Sequence, residues 1–176
     1  MSTARLKSTI HFVCFIGQRY GLGATQLTKS VVLSDVVSFC NRRKIISGAK
    51  IVKAPYGPIP HGYQDALDAL ELEGSIRVLP PARDYQSTRY EVLTPPALDG
   101  FDAEDTAILE EIVRVVCGKY TAGALSDLTH NEAWEVSDNG EEIPLAAYFP
   151  SCVIPSTPEQ IQTTRKELEA IGYEFI

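Results

Sequence analysis

Three prolines within six residues, Pro55, Pro58 and Pro60, restrict this chain more than any other feature of it. Proline has no amide hydrogen, and its ring pushes the residue before it out of the α region. The stretch Ala54-Pro55-Tyr56-Gly57-Pro58-Ile59-Pro60 therefore interrupts any helix that reaches it. Tyr56 through Pro60 must form a stiff connector, with Gly57 free to take a backbone angle that other residues avoid. A helical pattern starts directly after it, with Tyr63, Ala66, Leu67 and Leu70 on one face and Gly74 as its stop.

The rest of the chain can be read outward from that connector. Leu6, Ile10, Val13 and Gly17 recur at helical spacing and end at Gly21-Leu22-Gly23. Thr25 is placed to cap a second helix running to about Asn41, with Leu33, Val36, Val37 and Cys40 as its core stripe. Lys50 to Lys53 is a short extended segment. Beyond the third helix, Ser75–Leu79 and Thr88–Leu93 are β-prone and flank a proline-containing loop, which predicts a hairpin. Asp102 caps a fourth helix with Asp105 three residues on. Its apolar positions Ile108, Leu109, Ile112, Val115 and Val116 cover most of its circumference, which predicts a central element. Thr121 opens a short helix carrying Leu125 and Leu128, and Ser137–Gly140 is a turn. Thr157-Pro158-Glu159-Gln160 has the composition of a last helix start. The expected fold class is α+β and predominantly helical: a single domain over 1–176, with five or six helices and a small β-hairpin after the third.

At 176 residues the chain is long enough for one domain with a substantial core. Its apolar runs fall well short of the roughly 20 residues that span a bilayer, so no membrane partner is expected. The N-terminus lacks a small-residue cleavage site after its apolar part, and no signal peptide is expected. Four scattered cysteines form no CxxC pair, which suits a reduced, cytoplasmic protein. The net charge of −7 is unevenly divided: residues 1–53 hold nine Lys/Arg against Asp35 alone, while 54–176 hold seven bases against 22 acids. Such a split either steers a charged partner or lets the two parts fold onto each other and cancel.

His11, His61 and His130 lie far apart, and no metal-ligand spacing, GxSxG elbow or phosphate-cradling loop is present. Neither an enzyme nor a cofactor or metal site is expected. The order helix, helix, helix, hairpin also describes a winged-helix DNA binder, and a DNA-binding regulator of prophage origin is the alternative reading. A recognition helix lies among phosphates and brings Lys or Arg. The third helix has none and instead carries Asp65, Asp68, Glu71 and Glu73, so DNA contact through it is not expected.

Two motifs suggest something else. Tyr56-Gly57-Pro58-Ile59-Pro60 before a helix, followed after an acid-led helix by Leu125, Thr129-His130 and Trp134, resembles the Panacea (SocA-like) antitoxin domain. That family opens with a helix resembling K-L-L-Y-L-A-D. Here Lys29-Ser30-Val31-Val32-Leu33-Ser34-Asp35 stands in its place and agrees at Lys29, Leu33 and Asp35. Ile143 with Tyr148-Phe149 resembles the family's tail, and the likeness covers roughly residues 25 to 150. The resemblance implies an intracellular bacterial or phage antitoxin that neutralises a cognate small protein toxin by direct binding. In an adaptor variant it would also hand the toxin to a protease such as a Clp-type machine. It further implies that partner choice rests on the variable parts: the first helix, the 80–88 loop and the C-terminal helix. Tyr56, Gly57, Pro58, Ile59, Pro60 and His61 are the candidate toxin interface, since a rigid loop costs little entropy to bind; it equally suits a tight crossing between helices. Asp35, Thr129, His130 and Trp134 read as scaffold, because a Thr-His pair at a helix end can satisfy loose carbonyls and a buried Trp needs a partner for its N–H.

Overall fold

The computed structural model describes residues 2–83 and 87–148, the side chain of Ser2 excepted. The expected C-terminal helix, the tip of the 80–88 loop, Cys152 and Phe149 lie outside the described residues. Among the described residues the chain forms six α-helices and two small antiparallel sheets, which is the predominantly helical α+β class expected.

Helix α1 (Ser2–Gly17) runs into a 3₁₀ turn, Gln18–Tyr20, that stops where Gly21 takes φ +66°. Helix α2 (Ala24–Arg42) begins one residue before Thr25: Gly23 is the cap, and Gln26 Oε1 accepts from its amide at 2.9 Å. Arg43 ends α2 in the left-handed region at φ 57°. Helix α2, not the fourth helix, is the central element. It is buried on most sides, and Leu27 and Val31 join one apolar cluster while Val32 and Val36 join another. Ser30, Ser34 and Ser38 are fully buried along it, four residues apart, so it offers neighbours a narrow ridge where an aliphatic stripe was expected. Helix α1 belongs to the same core through Leu6, Ile10, Val13 and Cys14.

Strands β1 (Ile51–Val52) and β2 (Ile59–Pro60) form a minimal hairpin around the proline-rich loop, opposing Ile51 to Pro60 and Val52 to Ile59. The prolines fit for a simple reason. The His61 amide bonds to Lys50 O at 2.8 Å, so Pro60 occupies the alternate position whose N–H would point away from β1. The other edge of β1 is taken by the 140–143 segment, through Ile143 N to Ile51 O and Lys53 N to Glu141 O. The segment read from sequence as a connector is thus half loop and half strand.

Helix α3 (Tyr63–Leu72) buries Ala66, Leu67 and Leu70 and leads into the expected hairpin, β3 (Ile76–Leu79) with β4 (Arg89–Val92). Helix α4 (Ala103–Lys119) has reciprocal Asp102 and Asp105 capping and buries one face, Leu109, Val113 and Val116. Helices α5 (Ala122–Thr129) and α6 (Glu132–Val136) follow. The sequence reading did not separate α6; its signal was Asn131, whose side chain accepts from Trp134 N at 2.9 Å.

The charge split largely closes within the molecule. Asp105 is fully buried and receives Arg5 at 2.9 Å, Arg42 at 3.1 Å and Lys44 at 2.6 Å. Lys7 pairs with Glu73, and Lys50 with Glu142. The basic N-terminal third binds the acidic remainder of its own chain.

Candidate protein-binding site

The motifs singled out in the sequence meet beneath one loop. Lys29 lies three and seven residues before Val32 and Val36, so the turns of α2 carry it inward with an apolar stripe. Its side chain is 1% exposed, and its ammonium donates to Pro58 O at 3.0 Å. No carboxylate among the described residues pairs with it, and burial pushes its pKa down to about 7.

Gly57 sits directly over that ammonium. Its φ of +97° belongs to glycine, and a Cβ there would collide with Lys29 Nζ and lie 3.0 Å from both His130 Nε2 and Thr129 Oγ1. The Gly57 amide closes a turn by donating to Ala54 O at 3.0 Å. The next carbonyl back, Tyr56 O, accepts from Ser126 Oγ on α5 at 3.2 Å. Three of the loop's carbonyls, those of Ala54, Tyr56 and Pro58, are therefore held by groups on three different helices once Trp134 is included.

Trp134 supplies the third anchor: its indole N–H donates to Ala54 O at 3.2 Å. The ring stacks on His130 with centroids 3.7 Å apart and planes 3° from parallel. The Lys53 ammonium lies 4.5 Å from the same ring and donates to Glu135 O and Ser137 O, satisfying carbonyls at the end of α6. Thr129 Oγ1 donates back to Leu125 O and Ser126 O at the end of α5. Burial first, and then the Lys29 charge, hold His130 below its ordinary pKa, which favours the neutral ring. Its Nε2 is buried without a hydrogen-bond partner among the described residues.

Asp35 stands apart from this cluster. It accepts from the Ser47 amide at 2.8 Å and from the Ser47 hydroxyl, tying the 46–49 turn to α2. Burial raises its carboxyl to about 6, against those hydrogen bonds. Ile59 and Pro60 lie in β2, and the exposed His61 borders a groove of about 460 Å³ that also includes Val52, Tyr63 and Asp65.

What emerges from the cluster is the tip Pro55-Tyr56, with the Tyr56 side chain 80% exposed on a loop whose Ala54, Tyr56 and Pro58 carbonyls are all held. Sequence reasoning identified the loop and the Thr-His-Trp motif but missed Lys29 as the post between them. The signal was available, since a lysine occupied a position in an apolar helical stripe. Ser126 and Lys53 had no such signal, because their partners are backbone carbonyls brought near only by the fold.

A family model described as "Antitoxin SocA-like, Panacea domain" matches residues 27–135, more than half of the chain, including Lys29, the 54–60 loop, Ser126, Thr129, His130 and Trp134. No curated protein and no solved structure matches. No helix among the described residues is long and apolar enough to cross a membrane.

Proposed function

This chain belongs to the Panacea, or SocA-like, antitoxin domain family, and we propose that it neutralises a cognate protein toxin by stoichiometric binding in the cytoplasm, without catalysis or cofactor. The observation that supports this reading best is the presentation of Tyr56. Large aromatic side chains dominate the energetics of protein interfaces, and a loop already fixed in place loses little conformational entropy on binding. Tyr56 has both properties, on a loop held by Lys29, Ser126 and Trp134. The carboxylates Asp65, Asp68 and Glu71 of α3 and Glu73 at its C-terminal cap are all exposed, a surface that repels nucleic-acid phosphate and so favours a protein partner over a duplex.

Co-expression with the product of the neighbouring reading frame tests the proposal. The wild-type chain should restore growth and co-purify with that product. Tyr56→Ala should lose protection while its thermal melt stays where it was, because an 80% exposed ring contributes little to the core. Protection that survives Tyr56→Ala unchanged would remove the loop from the interface.

A further inference from the structure

The Tyr56 loop is bonded to a unit, α5 and α6, whose outer side is not neutral. On α5, Asp127 and Leu128 are exposed; on α6, Glu132, Glu135 and Val136 are. Leu128 is 55% and Val136 85% exposed, so with Tyr56 the unit presents three large apolar side chains to solvent. Asp127, Glu132 and Glu135 have no ion pair among the described residues. Lys53, whose ammonium reaches the end of α6, is committed to two carbonyls and the Trp134 ring. The start of α4 differs: there Asp102, Glu104 and Asp105 are all paired.

We infer that the Tyr56 tip and the outer side of α5–α6 form one docking surface whose occupant is a cationic, Lys/Arg-bearing apolar face of the partner protein. The inference rests on the antitoxin reading and adds the chemistry of the partner. Charge complementarity selects this occupant over the others. A second copy of the chain would set the same carboxylates against each other, since an isologous contact opposes a surface to itself. The chain's own residues 149–176 carry Arg165 and Lys166 against Glu159, Glu167, Glu169 and Glu174, a composition of the same charge sign as this surface. A basic partner leaves the three apolar residues to bury and gives the three carboxylates counter-charges, which speeds encounter and fixes register.

Two measurements on the full chain test this. Backbone and side-chain NMR shifts are followed during titration with a synthetic amphipathic helix of leucine and lysine, and separately with its leucine and glutamate counterpart. The lysine peptide should shift Tyr56, Asp127, Leu128, Glu132 and Glu135 together, and the glutamate peptide should not; equal responses, or shifts scattered elsewhere, overturn the inference. The neighbouring-gene toxin is then bound by wild type and by Asp127→Asn/Glu132→Gln/Glu135→Gln, with melts recorded for both. The triple variant should bind at least tenfold more weakly at low salt, with the difference shrinking as ionic strength rises. Unchanged affinity with an intact complex overturns the inference and leaves the antitoxin reading standing. Clustered lysine-peptide shifts without any toxin complex overturn the antitoxin reading and leave the surface.

Discussion

Under the 54–60 loop the chain places a lysine where its own helical stripe calls for an aliphatic side chain, and a glycine where nothing larger fits. Each makes a separate prediction. Gly57→Ala must adopt φ near +97° and press a methyl group onto Lys29 and His130. The backbone strain alone costs about 1–3 kcal/mol, so chemical denaturation should show a loss of at least that size. For Lys29, burial sets the folded pKa near 7, below the ordinary 10.5, so the fold favours the neutral amine. Its contribution to stability is fully present above the unfolded pKa and is lost as pH falls through 7. Wild type should therefore gain stability relative to Lys29→Met between pH 7 and 10, by at most about 1.4 kcal/mol per pH unit. Parallel stability curves for the two proteins would mean that the ammonium is not desolvated as described.

Between elements, two sets of contacts do different work and should separate on mutation. Trp134 joins α6 to the loop through one hydrogen bond, and Trp134→Phe keeps an aromatic ring beside His130 while removing the N–H that Ala54 O accepts. The expected stability loss is roughly 1 kcal/mol, with a larger proportional loss of toxin protection because the Tyr56 tip is no longer fixed. Asp105 joins α4 to α1 and to the C-terminal end of α2, thirteen residues along that helix from Lys29. Asp105→Ala leaves Arg5, Arg42 and Lys44 around an empty position and should cost about 3 kcal/mol, yet leave toxin affinity per folded molecule unchanged. Denaturation and binding assays on the same two variants decide whether loop presentation and fold stability are separable.

Much of the architecture was legible because it is local. Caps such as Asp102 and Thr121, the stop at Gly21 and the β3–β4 hairpin depend on neighbouring residues, and sequence spacing records neighbours. What the sequence concealed was pairing at a distance. The burial of α2 follows from its packing among α1, α4, α5 and β2, not from its own composition, whose serines weaken the apolar stripe. The charge asymmetry largely closes for the same reason: Arg5 meets Asp105 across 100 residues. The loop cluster lay in between, since its motifs were visible one by one while their convergence on Lys29 needed the folded chain. The domain that results is a braced scaffold holding one aromatic tip outward.

Hydrogen exchange of the chain alone and saturated with the neighbouring-gene toxin tests that claim most directly. The account predicts slowed exchange at residues 54–58 and along 124–136, with α3 and the β3–β4 hairpin unchanged. Protection confined to α3 or that hairpin, with 54–58 exchanging as in the free chain, would contradict it.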